Sequence, residues 1–562
     1  MVWKLFSMTN AKRLKMDKIL FIVPPHISFK QFINPSYNER VVKKKYGQFG
    51  SVLTEMPLGV PSLSAYVKKH TAAETKLVDF NIVLNKLESF EYSSFAEFFH
   101  DLLSAPRWVD YAPNIIGLST LFTPAYQSMM DIAQCCRDIF PNAVIVAGGS
   151  VPTNMYKEIF GDSACFDALC YGEGEKPLLG LVQADDKFRH LEENPSWITR
   201  RKVESRQLFQ HDFIENIDEI PFYDYGICDT DDYGLNPAIT ANVAIDEKKQ
   251  NFHVMTSRGC PFHCCFCSSH TVHGRRMRYH SISRVREDFK RLREKYGAKT
   301  LVFQDDHFVA NKQRAFEIID IVRKLQLNAV FQNGLGLYAL DRKMLGALKS
   351  AGLNQIVLSV ESGSERVLKK IMHKPLNLSI VKRVADDCRE LGIYMLVNIL
   401  IGLPGETKQD IEDARSFLKT INANWFLIFC ANPLVGSEMY DICKKKNYLK
   451  EDCIGSDYKK AVIETEDFTA EYIQEMAYIL NLELNFVENS DFRLGNYQMA
   501  LKGFENAIKA KSDHVIAYYY AAKCYEKLGN LKKTQQYINT AKMLATENPF
   551  WHKYVDMFNI PI

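Results

Sequence analysis

Two successive series of short β-rich runs, each run followed by a helix-forming stretch, constrain this 562-residue chain more than any other feature. In the first series, residues 19–23, 76–79, 115–119, 143–147 and 168–171 alternate with amphipathic segments such as 61–70 and 124–139. In the second, residues 253–257, 300–304, 329–333, 355–360, 394–400 and 425–431 alternate with segments such as 283–296 and 314–325. Strands separated by helices form parallel sheets, because a parallel return needs a long crossover. The first series predicts an α/β, Rossmann-like doubly wound sheet over residues 18–183. The second has six βα units where a full barrel has eight, and predicts a partial (β/α)6 barrel over 251–445.

Around these units lie three others. Residues 1–17 form an N-terminal extension, and 184–250 read as a polar linker containing Ile220-Pro221-Phe222 and the acidic stretch 229–232. Residues 446–562 read as an all-α region. There Leu494-Gly495 recurs as Leu528-Gly529 and Ala507 as Ala541, each 34 residues later, with Tyr497, Ala500 and Phe504 at helical spacing. That period predicts tetratricopeptide-like (TPR) hairpins, with plain amphipathic helices as the alternative. About two repeats are too few to stand alone, so they are expected to pack on the barrel. A concave groove for a protein partner is a second use for them.

Charge excludes little and demands nothing. The 70 basic and 67 acidic side chains leave a net +3, which gives no reason to expect nucleic acid or an anionic membrane. No apolar run is long enough to span a bilayer, and residues 1–18 lack a secretory hydrophobic stretch, so a cytoplasmic location is expected. Fourteen cysteines in so long a chain are not a disulfide framework. Most should be core thiols, and one cluster stands apart.

That cluster is Cys260, Cys264 and Cys267, spaced C-x-x-x-C-x-x-C directly after a predicted strand. Three thiolates on one short loop can take three corners of a 4Fe-4S cubane and leave the fourth iron open. A structural zinc site is the alternative, but zinc normally requires a fourth ligand, for which His263 or His270 stands nearby. Cys265 falls outside the spacing and reads as a bystander. Further motifs follow the later strands in order: Gln304-Asp305-Asp306-His307-Phe308, Asn333-Gly334, Ser359-Val360-Glu361-Ser362-Gly363-Ser364, Ile401-Gly402-Leu403-Pro404-Gly405-Glu406-Thr407, then Asn432-Pro433.

With these motifs in this order, residues 252–440 resemble the radical S-adenosylmethionine (SAM) superfamily. The resemblance implies that the open iron chelates SAM, that Phe266 lies beside adenine, and that an external electron donor such as flavodoxin or ferredoxin starts the reaction. It implies a SAM site built from Phe266, Asp305, Asp306, Asn333, Ser359, Glu361, Ser362, Gly402 and Pro404. Arg278 and Lys374 are possible partners for the methionine carboxylate, or else surface charges.

The first domain resembles the cobalamin-binding domain that precedes the barrel in one large radical SAM class. The matching residues are Pro57, Leu58, Gly59, Ser119, Gly148, Gly149, Gly172, Glu173 and Gly174. Small residues suit a flat macrocycle that needs close backbone approach. The element that supplies a lower axial histidine in many cobalamin proteins is absent after the first strand, where Pro24-Pro25-His26 stands instead. A Rossmann-like cover without cofactor is the alternative. A nicotinamide site is disfavoured, since no G-x-G-x-x-G follows a strand. The class implies methylation of an unactivated carbon of a small-molecule or peptide substrate. A radical rearrangement, cyclisation or ring contraction is a second reading, and a non-catalytic iron–sulfur scaffold a third.

Overall fold

The computed structural model describes residues 16–35, 41–52, 54–233, 250–450 and 460–562. Most of the N-terminal extension, the end of the linker and a short stretch after residue 450 lie outside them.

In the first domain, β1 (Lys18–Val23), β2 (Glu74–Asp79), β3 (Ile115–Ser119), β4 (Val144–Gly148) and β5 (Ala168–Cys170) run parallel in the spatial order β2-β1-β3-β4-β5. Helices α1 (Gly59–His70), α2 (Phe95–Leu103), α3 (Tyr126–Ile139) and α4 (Glu175–Gln183) cover both faces. The two-residue strand period sorts the core. Ile19, Phe21 and Val23 pack with Val60, Val67, Leu178 and Leu181 on the α1/α4 face. Leu20 and Ile22 pack with Phe98, Phe99, Met129 and Ile132 on the α2/α3 face. The strand order reverses between β1 and β3, and ligands of open α/β sheets bind outside the strand ends at such a point.

The stretch expected to be linker begins as part of this sheet. β6 (Trp197–Ile198) pairs antiparallel with β5, and Trp197 is buried in the α1/α4 core. Two apolar residues in a polar stretch carry too little periodicity to be read as a strand. The chain then crosses to the barrel through short 3₁₀ turns, among them Ile217–Glu219 and Tyr225–Ile227.

The second domain holds six parallel strands in two halves. β7 (Asn251–Val254), β8 (Thr300–Phe303) and β9 (Asn328–Phe331) form one; β10 (Gln355–Glu361), β11 (Tyr394–Ile401) and β12 (Trp425–Cys430) form the other. The halves abut at β9 and β10, where Gly334 (φ +71°) lies so close to Ser359 that a Cβ would meet its Oγ at 2.4 Å. The first barrel strand is shorter than its sequence suggests. It ends at Val254, and Ser257–Arg258 instead pairs antiparallel with Arg278–Tyr279, closing the base of the cysteine loop.

The C-terminal region is helical: α5 (Ala470–Leu482), α6 (Tyr497–Ala510), α7 (Val515–Lys527) and α8 (Leu531–Glu547). It seals the free edge of β12. The Phe426 N–H donates to Asn485 Oδ1 at 2.7 Å, and Asn485 Nδ2 donates to the Phe426 carbonyl at 2.9 Å. One buried amide thus replaces a neighbouring strand at an edge that would otherwise be open. Arg389 to Asp491 (2.7 Å) and Arg415 to Glu483 (2.6 Å) fasten the same contact.

Candidate functional site

The cysteine loop is held from both ends. The Gly259 N–H donates to Asp306 Oδ2 at 3.0 Å, and Gly259 takes φ +91°, where a Cβ would meet the Arg276 carbonyl at 2.4 Å. The Cys260 N–H reaches the Gly274 carbonyl, and the Cys267 N–H the Cys264 carbonyl at 3.1 Å. Cys260, Cys264 and Cys267 are partly exposed, whereas the other described cysteines are buried. Cys265 turns away: its N–H donates to the Met372 carbonyl and its carbonyl accepts from Met439. Burial pushes the Cys260 thiol up to about 11 and the Cys264 thiol up as well, so loading a metal cluster here releases protons.

The donor set fits an iron–sulfur cubane. Among the described residues no three His, Cys, Asp or Glu side chains converge tightly enough to hold a single metal ion. A cubane instead spreads its thiolates over separate iron corners.

Beside the loop, Lys374 Nζ lies 5.8 Å from the Phe266 ring centre and 3.4 Å from Glu361 Oε1. Glu361 closes β10 at a bulge with φ +68°, a left-handed backbone that a non-glycine residue adopts only under constraint. Gly402 (φ +88°) and Leu403 donate their N–H groups to Glu406 Oε2 at 2.6 and 3.1 Å, shaping the turn that contains Pro404. Two expected ligand side chains are occupied elsewhere. Asp305 accepts from Thr256 N–H and Oγ1 and from Ser257 Oγ, and so braces the end of β7. Ser362 Oγ accepts from the Ser364 N–H inside its own turn. Asn333 Nδ2 donates to the Gln304 carbonyl at 2.9 Å.

A cavity of about 680 Å³ opens between the strand ends of the two domains. All nine residues expected at cobalamin line it: Pro57, Leu58, Gly59, Ser119, Gly148, Gly149, Gly172, Glu173 and Gly174. From the barrel come Cys267, Asp306 and Asn333. The Gly148-Gly149 turn in its wall is close-packed: at Gly149 (φ +109°) a Cβ would meet the Thr120 carbonyl at 2.5 Å. His26 also lines the cavity. Its buried Nδ1 has no partner among the described residues, and burial lowers its pKa to about 4, which keeps the ring neutral.

The two domains are joined by a buried ion network that local sequence patterns do not reveal. Arg258, directly before the cysteine loop, meets Glu173 at 3.2 Å and Glu175 at 2.7 Å. Glu173 also receives Arg278 (2.6 Å) and His273 (2.8 Å). Neither the surface nor the SAM role expected of Arg278 is what the structure shows, because a glutamate from the other domain neutralises it. The side chain of Glu173 thus faces three basic groups of the barrel. Arg258 stood in the sequence beside Cys260; only the three-dimensional pairing gives it a role.

Residues 254–418 match the Radical SAM superfamily, and residues 53–182 match the B12 binding domain. An uncharacterized methyltransferase of Pyrococcus horikoshii is 27% identical over 474 residues, covering 83% of this chain and 92% of its own length. The cytidylyl-2-hydroxyethylphosphonate methyltransferase of Streptomyces wedmorensis is 24% identical over 406 residues, covering 67% of this chain and 76% of that protein. Among solved structures, the cobalamin-dependent S-adenosylmethionine radical enzyme OxsB superposes with a TM-score of 0.58 at 14% identity, over 97% of this chain and 81% of OxsB. The radical S-adenosylmethionine methyltransferase TsrM of Kitasatospora setae superposes with a TM-score of 0.55 at 12% identity, over 95% of this chain and 100% of TsrM. These two likenesses are of fold.

Proposed function

We propose that this chain, which matches the Radical SAM superfamily over residues 254–418 and the B12 binding domain over residues 53–182, is a radical SAM enzyme that methylates an unactivated carbon of a small molecule or peptide held between the two domains. One observation carries the proposal: a single cavity is walled by the B12-side loops and by Cys267 of the cysteine loop. Methyl donor, SAM and substrate carbon then share one space, and holding reactants together is itself a large part of catalysis. When bound, the cofactors supply reductive cleavage of SAM to a 5′-deoxyadenosyl radical and a methyl group for transfer.

In this reading Cys260, Cys264 and Cys267 hold the 4Fe-4S cluster, and Asp306 fixes their loop through Gly259. Phe266, Asn333, Ser359, Glu361, Gly402 and Pro404 border SAM, with Lys374 beside Glu361 as the cation for the methionine carboxylate. Asp305 and Ser362 act from behind, by holding backbone. The small residues of the Gly148-Gly149 and Gly172–Gly174 turns receive cobalamin, and His26 stands in its wall as a neutral ring. Flavodoxin or ferredoxin is the proposed electron donor. The C-terminal helices are read as TPR-like hairpins whose first duty is to brace β12, with a partner groove as a second. A cytoplasmic setting is part of the proposal, in keeping with described cysteines that are all free thiols.

The test is anaerobic reconstitution with iron, sulfide, cobalamin, SAM and a reductant. Methyl transfer yields both S-adenosylhomocysteine and 5′-deoxyadenosine once substrate is added. Deoxyadenosine alone, under the same conditions, sinks the methylation reading in favour of a rearrangement.

A further inference from the structure

The barrel end of the cavity carries a row of polar side chains whose hydrogen-bond directions can be worked out one from the next. Glu55 precedes α1, Gln332 and Gln304 follow β9 and β8, and His253 lies on β7; all four line the cavity. A carboxylate only accepts, so the contact at 3.3 Å between Glu55 Oε1 and Gln332 is made by the Gln332 NH₂ group. Gln332 Oε1 is then the acceptor for Gln304 Nε2. The same Gln304 NH₂ group meets His253 Nδ1 at 3.0 Å. A donor facing Nδ1 makes that nitrogen the acceptor and leaves the ring proton on Nε2. Burial lowers the His253 pKa to about 4, so the ring is neutral in ordinary conditions. Its Nε2 is buried and has no partner among the described residues, in a side chain that is only 1% exposed. A buried donor without an acceptor is rare unless a ligand completes it.

The charge of the walls narrows the ligand. Arg258 is the only Lys or Arg among the described lining residues, and it is neutralised by Glu173 and Glu175. Among the described lining residues, therefore, no Lys or Arg free of carboxylates is offered to a phosphate or carboxylate group of a substrate.

We infer that His253 is a specificity-determining residue, its Nε2–H donating to an uncharged carbonyl oxygen of the substrate, such as that of an amide or peptide group. The inference rests on the reading of this cavity as the substrate site. Glu55, Gln332 and Gln304 act through His253, as positioning residues that fix its tautomer.

The test uses the full-length, cluster-loaded chain with ¹⁵N-labelled histidine, in which two-bond ¹H–¹⁵N spectra report the tautomer of each ring. His253→Gln identifies the signal, and Gln332→Leu, which breaks the row without touching the ring, serves as a second variant. The expected result is an Nε2–H tautomer that does not titrate between about pH 6 and 8, an Nε2 shift with 2-pyrrolidone, and none with inorganic phosphate. Gln332→Leu should yield a mixture of tautomers. An Nδ1–H ring, a response to phosphate, or indifference to 2-pyrrolidone overturns the inference. No SAM is turned over in this measurement, so its failure is distinguishable from failure of methyl transfer.

Discussion

Arg258 and Glu175 meet at 2.7 Å across the boundary between the two α/β domains, each side chain 5% exposed. Because Arg258 is followed at once by Gly259 and Cys260, the clamp between domains and the cysteine loop are one piece of chain. Removing the guanidinium leaves two carboxylates buried without it, a change that typically costs about 3–5 kcal/mol. Arg258→Met is therefore expected to lower the unfolding free energy by about that amount, read as a lower denaturation midpoint, and to reduce iron retained after reconstitution. Arg258→Lys should recover only part of both, since a single ammonium cannot satisfy Glu173 and Glu175 with a planar fork. An unchanged midpoint in Arg258→Met would count against the clamp.

Glu406 gives the molecule a pH dependence of definite sign. Burial raises its pKa to about 7, while the N–H groups of Leu403 and Gly402 pull the other way. In the unfolded chain the same carboxyl titrates at ~4.3. A folded pKa above the unfolded one means that stability is complete below the unfolded value and is lost as pH rises through the folded one, here on the order of 3 kcal/mol. Glu406→Gln keeps an acceptor oxygen for both N–H groups and cannot ionise. Its melting temperature should stay level from about pH 5 to 8, while that of the parent falls; parallel curves would refute the assignment.

The cysteines divide by the direction they face. Alanine at Cys260, Cys264 or Cys267 should abolish iron uptake and the visible absorption of the reconstituted protein. Cys265→Ala should keep both, because Cys265 is 3% exposed and its backbone is bonded to Met372 and Met439 rather than to the loop. Iron and sulfide analysis of the four variants decides the matter. Full iron loading in the first three, or loss in the fourth, would overturn the division.

How far the sequence could be read depended on whether a feature was local. The strands at Ile115–Ser119 and Tyr394–Ile401 are mainly apolar runs, broken only by Ser119 and Asn398, a pattern of strands covered on both faces that makes them legible. The turns that line the cavity were legible because glycines and small residues follow strand ends in register. Side-chain direction was not. Asp305 and Asp306 are neighbours, yet one braces Thr256 and Ser257 while the other reaches Gly259 at the cavity wall. Nor were partners distant in the chain: nothing around Arg278 announces Glu173, 105 residues away. β6 is not legible in the sequence, because one tryptophan and one isoleucine do not make a pattern.

Gly149 tests the wall of the cavity. At φ +109° a side chain is strained, and its Cβ would meet the Thr120 carbonyl oxygen at 2.5 Å, a backbone atom that is itself bonded to the Val151 N–H. Gly149→Ala is expected to destabilise the domain by more than about 1 kcal/mol and to weaken cobalamin uptake, followed by the visible spectrum after gel filtration. Gly161, where an added Cβ meets nothing within 4 Å, is the control: Gly161→Ala should bind as the parent does. Equal uptake by both variants would remove this wall from the proposed site.

Asn485 tests whether the C-terminal helices are part of the barrel's fold. The side chain is fully buried and forms both hydrogen bonds that Phe426 would otherwise exchange with a further strand. Asn485→Leu fits a similar volume and strips the edge of its partner, leaving a buried N–H and a buried carbonyl without bonds. Each such orphan costs about 1–3 kcal/mol, so the variant should be less stable by roughly 2–6 kcal/mol. The exposed edge should also promote self-association, since unpaired strand edges recruit other strands. Asn485→Asp separates the two halves of the contact, because a carboxylate accepts from the Phe426 N–H but cannot donate to its carbonyl. Denaturation midpoints below the parent's for both variants, together with light scattering that rises for the leucine variant, are the expected outcome. If the leucine variant were as stable and monodisperse as the parent, the helices would be an appendage and β12 would need no cover.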